Sequence, residues 1–99
     1  MIALVITKRM QASEIKKIRK KLKLNQAEFG NLLGVHHVTV SKWESGHPSP
    51  TPYQQTLIEN FGEAADTEEV KQANLSNILI KAGAFVALAL LLKHLMKGK

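Results

Sequence analysis

The sequence predicts an all-α protein: a compact four-helix domain over residues 13–62, followed by an additional C-terminal hydrophobic helix over residues 75–99. Three observations predict it. Apolar side chains recur at helical spacing in successive short stretches between Ile15 and Phe61. Asn25 and Thr51 stand where helix N-caps belong, and Gly34 and Gly46 stand where helices end. Pro48, Pro50 and Pro52 are confined to one loop, HPSPTP, so no helix is interrupted.

Residues 1–12 precede the domain. Their first seven, MIALVIT, are apolar and rich in branched side chains, which suits a short strand or extended arm that packs on its own domain or pairs with a partner's copy. They lack the basic start, the longer apolar run and the cleavage site of a secretory signal. From Ser13, a plausible N-cap, Ile15, Ile18 and Leu22 share one face of a first helix, Leu24 turns the corner, and lysines lie outside.

The second helix opens at Asn25, with Glu28 three residues on to complete a capping box. Ala27, Leu32 and Leu33 supply its buried stripe and Phe29 an aromatic anchor. Gly34 ends it in a left-handed turn that a Cβ would penalise. The chain restarts near His36, and Val40 and Trp43 form the inner face of the third helix. His37, Val38, Thr39, Ser41 and Lys42 remain on or near its outer face. Thr51 then caps a fourth helix with Pro52 at its first position, and Leu57, Ile58 and Phe61 complete the core before Gly62.

Residues 63–74, GEAADTEEVKQAN from Gly62 onward, are polar and acidic and read as a linker with a weak helical lead-in at Thr67. Beyond them, Leu75 to Met96 reads as one helix that is apolar on every side from Ala82 to Leu92, so something must cover it. That apolar run spans only about 17 Å as a helix against the ~30 Å of a hydrocarbon core, so a membrane anchor is the lesser reading. The favoured cover is a second copy: Gly83, Ala84 and Ala87 would admit a partner helix, and Phe85, Leu88, Leu91 and Leu92 would supply the dimer's apolar area.

The formal net charge is +6, from 14 Lys and Arg against 8 Asp and Glu. Lys8, Arg9, Lys16, Lys17, Arg19, Lys20, Lys21 and Lys23 crowd the first quarter, opposed only by Glu14. Such density attracts phosphate and anionic surfaces alike. The chain has no cysteine, which excludes disulfides, thiolate zinc sites and thiol catalysis and is compatible with a reducing cytoplasm.

LNQAEFGNLLGV and, after the outer-face residues, KWESG closely resemble the helix-turn-helix of the phage-repressor and Cro (Xre-type) family of transcription regulators. The signal is the combination of Gln26, Ala27, Gly34, Val40, Trp43, Glu44 and Gly46, and the likeness runs from Ile15 to about Phe61. It implies a lambda-repressor-like DNA-binding domain. It implies that Arg19 pairs with Glu44 to aim the reading helix, that Gln26 meets a phosphate, and that His37, Val38 and Lys42 meet base edges with Thr39 and Ser41 beside them. His36, itself a candidate DNA contact, departs from the family's serine or threonine cap and leaves the start of that helix less well capped. His47, Ser49, Thr51 and Tyr53 are further candidate phosphate contacts in and after the proline loop.

No glycine-rich phosphate loop and no nucleophile with a base at a recognisable spacing is present, so no catalytic role and no cofactor are expected. His36 and His37 point about 100° apart on a helix and have no third ligand nearby, so no metal is expected. The expected protein is a cytoplasmic, homodimeric repressor that binds double-stranded DNA at an inverted repeat. The alternatives are an antitoxin-type autoregulator with a protein partner, toxin or regulator, and a DNA-binding protein tethered to a membrane by its last helix.

Overall fold

A computed structural model describes residues 10–97. The strand or arm expected over residues 1–7 lies outside them. Seven α-helices run through the described residues: α1 (Ala12–Lys21), α2 (Gln26–Leu33), α3 (His37–Glu44), α4 (Pro52–Ala65), α5 (Glu68–Gln72), α6 (Leu75–Lys81) and α7 (Ala84–Lys97).

Helix α1 begins just ahead of the expected Ser13 cap. The Gln11 N–H donates to Glu14 Oε1 at 2.9 Å, which satisfies an orphan donor of the first turn. Ile15 and Leu22 enter the core, and Lys23, in the left-handed region at φ 62°, reverses the chain so that Leu24 is buried too. Helix α4 starts as expected: Thr51 N–H donates to Gln54 Oε1 at 2.8 Å and Gln54 N–H to Thr51 Oγ1 at 3.1 Å, a reciprocal cap ahead of Pro52. Ile58 and Phe61 are fully buried.

The domain does not end near Gly62. Helix α4 runs on to Ala65, and Gly62 lies inside it as a crossing point: a Cβ there would stand 3.1 Å from the Ile18 side chain of α1. Residues 63–74 are correspondingly more than a linker. Ala64, Ala65 and Val70 are buried, and α5 is capped by Thr67, whose hydroxyl accepts from Val70 N–H at 3.3 Å.

The last stretch also differs from expectation. A single helix over residues 75–96 is replaced by a hairpin, α6 and α7, because Gly83 adopts φ 98° and its N–H donates back to Ile78 O at 3.0 Å. Folded back, α7 packs on α4, α6 and α2. Ala87 and Leu91, four residues apart, join the same core as Phe29, Ile58 and Phe61, and Leu75 and Leu79 join it from α6. The chain thus covers much of its own apolar run. Leu91, expected at a dimer surface, is only 1% exposed, and burying such a side chain contributes about 2 kcal/mol to the protomer itself. Leu88 and Leu92 are half-buried against the core, whereas Phe85 is 86% exposed. Polar ties among the described residues hold the hairpin in place: Ser76 Oγ donates to Glu28 Oε2 on α2, and Lys93 Nζ reaches Glu69 Oε2 at 2.7 Å. No helix among the described residues is long and apolar enough to cross a membrane.

Candidate nucleic-acid interface

The site is built from α2, the turn after it, and α3. Asn25 Oδ1 accepts from Glu28 N–H at 2.8 Å and Glu28 Oε1 accepts from Asn25 N–H at 3.0 Å, so the capping box read from the sequence fixes where α2 begins. Phe29 and Leu32 bury, while Ala27, expected in that stripe, is exposed. What brings the turn close is Gly30, which sequence reasoning does not single out. A Cβ there would lie 2.6 Å from Val35 O, and Val35 N–H donates to Gly30 O at 2.9 Å. Gly34, at φ 72°, then turns the chain toward α3.

His36 caps α3. Its Nδ1 accepts from Val38 N–H at 3.2 Å, doing with an imidazole what serine or threonine does with a hydroxyl, so the expected weakness in capping is not there. The bond requires the tautomer that carries its proton on Nε2. The His36 and His37 rings lie with centroids 4.4 Å apart. Val40 and Trp43 anchor the inner face in the core.

The far end of α3 is held by charge. Arg19 Nε donates to Glu44 Oε2 at 2.7 Å and Nη2 to Glu44 Oε1 at 3.0 Å, while Nη1 donates to Leu24 O at 3.0 Å. Gln26 Nε2 adds a fourth bond, to Glu44 Oε1 at 3.2 Å. The hydrogen bond to Glu44 raises the Arg19 pKa above its ordinary value against the opposing effect of burial. Burial alone would push the Glu44 carboxyl up, but the bonds from Arg19 and Gln26 and the positive charge beside it hold it below the usual carboxylate range. No buried side-chain nitrogen or oxygen among the described residues is left without a partner.

With both ends fixed, α3 presents one outward strip. His37, Val38 and Lys42 are exposed, Ser41 is half-buried between them, and Thr39 sits on the flank toward the core. Ser45, seven residues after Val38 and four after Ser41, falls on the same strip and is exposed, its Oγ donating to Ser41 O at 3.0 Å. The spacing alone would have found it. Gln26 is half-buried at the start of α2, with one amide proton committed to Glu44 and the other open to an acceptor. His47 and Ser49 are exposed in the loop after α3, as are Thr51 and Tyr53 beyond it. Among the described residues no three His, Asp or Glu side chains converge to hold a metal ion.

Residues 15–53 match the family model described as helix-turn-helix. The chain carries a phage-repressor and Cro-type helix-turn-helix domain. No curated protein and no solved structure matches the chain significantly. In the helix-turn-helix domain α2 and α3 are the two motif helices, α1 and α4 the supports behind them, and the α6–α7 hairpin lies beyond the matched segment. The matched family is one of DNA-binding transcription regulators.

Proposed function

We propose that the chain is a sequence-specific repressor that acts in the cytoplasm as a homodimer, reading an inverted repeat in double-stranded DNA through α3. The observation that carries this is the strip of exposed His37, Val38 and Lys42 with half-buried Ser41 between them, on a helix whose two ends are locked by His36 and by the Arg19–Glu44–Gln26 network. Its chemistry suits the major groove. Lys42 donates to guanine O6 or N7, His37 donates or accepts, and Val38 meets a thymine methyl. Gln26, His47 and Ser49 border the strip with donors for backbone phosphates and set register rather than sequence.

One such helix makes few base contacts, and two copies reading half-sites about 34 Å apart multiply affinity and selectivity. With Leu91 taken into the protomer core, Phe85, Ile80 and Val86 are the exposed large apolar side chains of the α6–α7 hairpin among the described residues, and they are the area offered to a second copy. The test is selection from random duplex DNA by the purified full chain, with the mass in solution measured by light scattering. A two-fold symmetric enriched site and a dimeric mass support the proposal. An asymmetric single site bound by a monomer overturns the dimer, and a small protein that co-purifies in fixed ratio favours the reading with a toxin or regulator as partner. Failure to enrich any sequence overturns specific recognition.

A further inference from the structure

We infer that α1 carries a phosphate-binding edge, Lys16 and Lys20, distinct from its other lysines and placed to grip the DNA backbone beside the α3 strip. This rests on the reading of the chain as a DNA-binding protein and adds a surface to it. Arg19 and Ile18 mark the two borders of the buried face of α1. Arg19 faces the end of α3, through Glu44, and Ile18 faces α4, where it packs on Gly62. At about 100° per residue, Lys16 and Lys20 continue outward from the Arg19 border, one helical turn apart, while Lys17 and Lys21 continue from the Ile18 border.

The electrostatics places three of these lysines, Lys16, Lys17 and Lys21, in the same way. Lys16 is close enough to favour the Glu44 carboxylate, at the end of α3. Lys21 Nζ reaches Asp66 Oδ1 at 2.9 Å, and its hydrogen bond and charge, with smaller help from Lys71 and Lys17, hold the Asp66 carboxyl below its ordinary range. The Lys17 and Lys21 edge is therefore turned toward an acid at the end of α4. Lys16 is near Glu44, which Arg19 and Gln26 already satisfy, and helical spacing puts Lys20 one turn on along the same edge; both lysines are exposed, and Gln26, which shares Glu44 with Arg19, opens the α2 N-terminus that favours an anion. A polyanion following the backbone past Gln26 is the partner this edge fits.

The experiment compares two variants of the full chain with equal reduction of charge, Lys16→Gln/Lys20→Gln and Lys17→Gln/Lys21→Gln. Binding to a mixed-sequence duplex and to the site enriched by selection is measured over a series of salt concentrations, with thermal melting to confirm folding. The first variant is expected to flatten the slope of log K against log salt by up to about 2, roughly 0.9 for each phosphate left without its cation, on both duplexes and without altering which sequence is preferred. The second is expected to leave the slope close to wild type. Equal flattening by both variants would reduce the effect to net charge and overturn the assignment, as would no change in the first. If wild type binds neither duplex, the DNA reading itself fails, and that result is in hand before either variant is compared.

Discussion

Arg19 grips Glu44 across the domain through two parallel hydrogen bonds, Nε to Oε2 at 2.7 Å and Nη2 to Oε1 at 3.0 Å. Their side chains are only 10% and 6% exposed, so the pair joins α1 to the last residue of α3 in a largely dry setting. Desolvation offsets much of its attraction, and its chief effect is to aim α3. Removing one partner is another matter, because it strands the other as a buried charge. Arg19→Met is expected to lower unfolding free energy by about 3 kcal/mol in urea titration, and Arg19→Lys by less, since an ammonium keeps the charge but loses the fork. An Arg19→Met protein with an unchanged urea midpoint would contradict this role.

The same pair makes stability depend on pH on the acid side. Glu44 has a pKa below its ordinary value in the folded chain, so between the folded and unfolded values the unfolded chain binds more protons. Its contribution is therefore fully present above the ordinary carboxylate range and is lost as pH falls through the depressed folded value. Glu44→Gln is expected to be less stable at neutral pH and to lose less stability than wild type on acidification. Parallel stability curves for the two proteins through that window would show that Glu44 titrates normally in the fold.

His36 makes a prediction about helix initiation. Because its Nδ1 accepts from Val38 N–H at 3.2 Å, His36→Ser, which can supply an equivalent acceptor, is expected to hold stability nearly constant. His36→Ala removes the acceptor and is expected to cost about 1 kcal/mol. Amide exchange at Val38 is the direct readout. Equal protection there in the wild type and the alanine variant would remove the imidazole from the cap.

Lys42 separates reading from holding. Exposed on the outer strip of α3, it is expected to discriminate one base pair, so Lys42→Ala should relax preference at a single position of the selected site by about 1–3 kcal/mol. Repeating the selection with the variant measures this. An unchanged preference at every position would take Lys42 out of the reading set.

Local chemistry is what makes the motif legible. Asn25 with Glu28, Gly34, and the alternation of Val40 and Trp43 with outward polar residues are signals written within a few positions of one another, and the structure contains each. The Arg19–Glu44 pair spans 25 residues, and only family resemblance points to it in the sequence. Gly30 carries no such signal because what it accommodates, Val35 O, comes near only after the turn has formed. Gly62 and Gly83 exchange the roles that their positions suggest. The first stands where a helix end is expected and is a packing point inside α4, whereas the second stands where close packing is expected and ends α6 by its positive φ. Composition does not distinguish these uses; the backbone conformation does.

That exchange changes what the C-terminal segment is expected to do when altered. A separate dimerisation helix would be removable, leaving a folded monomer. In the structure Ala87 and Leu91 complete the core that holds Phe29, Ile58 and Phe61, so the hairpin shares its core with the helices that position α3. Leu91→Ala is therefore expected to destabilise the protomer by about 2–4 kcal/mol, through reduced burial and the cavity left behind. Phe85→Ala, at an 86% exposed position of the same helix, is expected to leave the stability of the monomer at high dilution near wild type. Its effect should fall instead on association, as a higher protein concentration needed for a dimeric mass. Urea unfolding at two protein concentrations checks both substitutions. The expected pattern is a concentration-independent loss for Leu91→Ala and a loss that vanishes on dilution for Phe85→Ala, and the reverse pattern would return Leu91 to the dimer surface and place Phe85 within the fold.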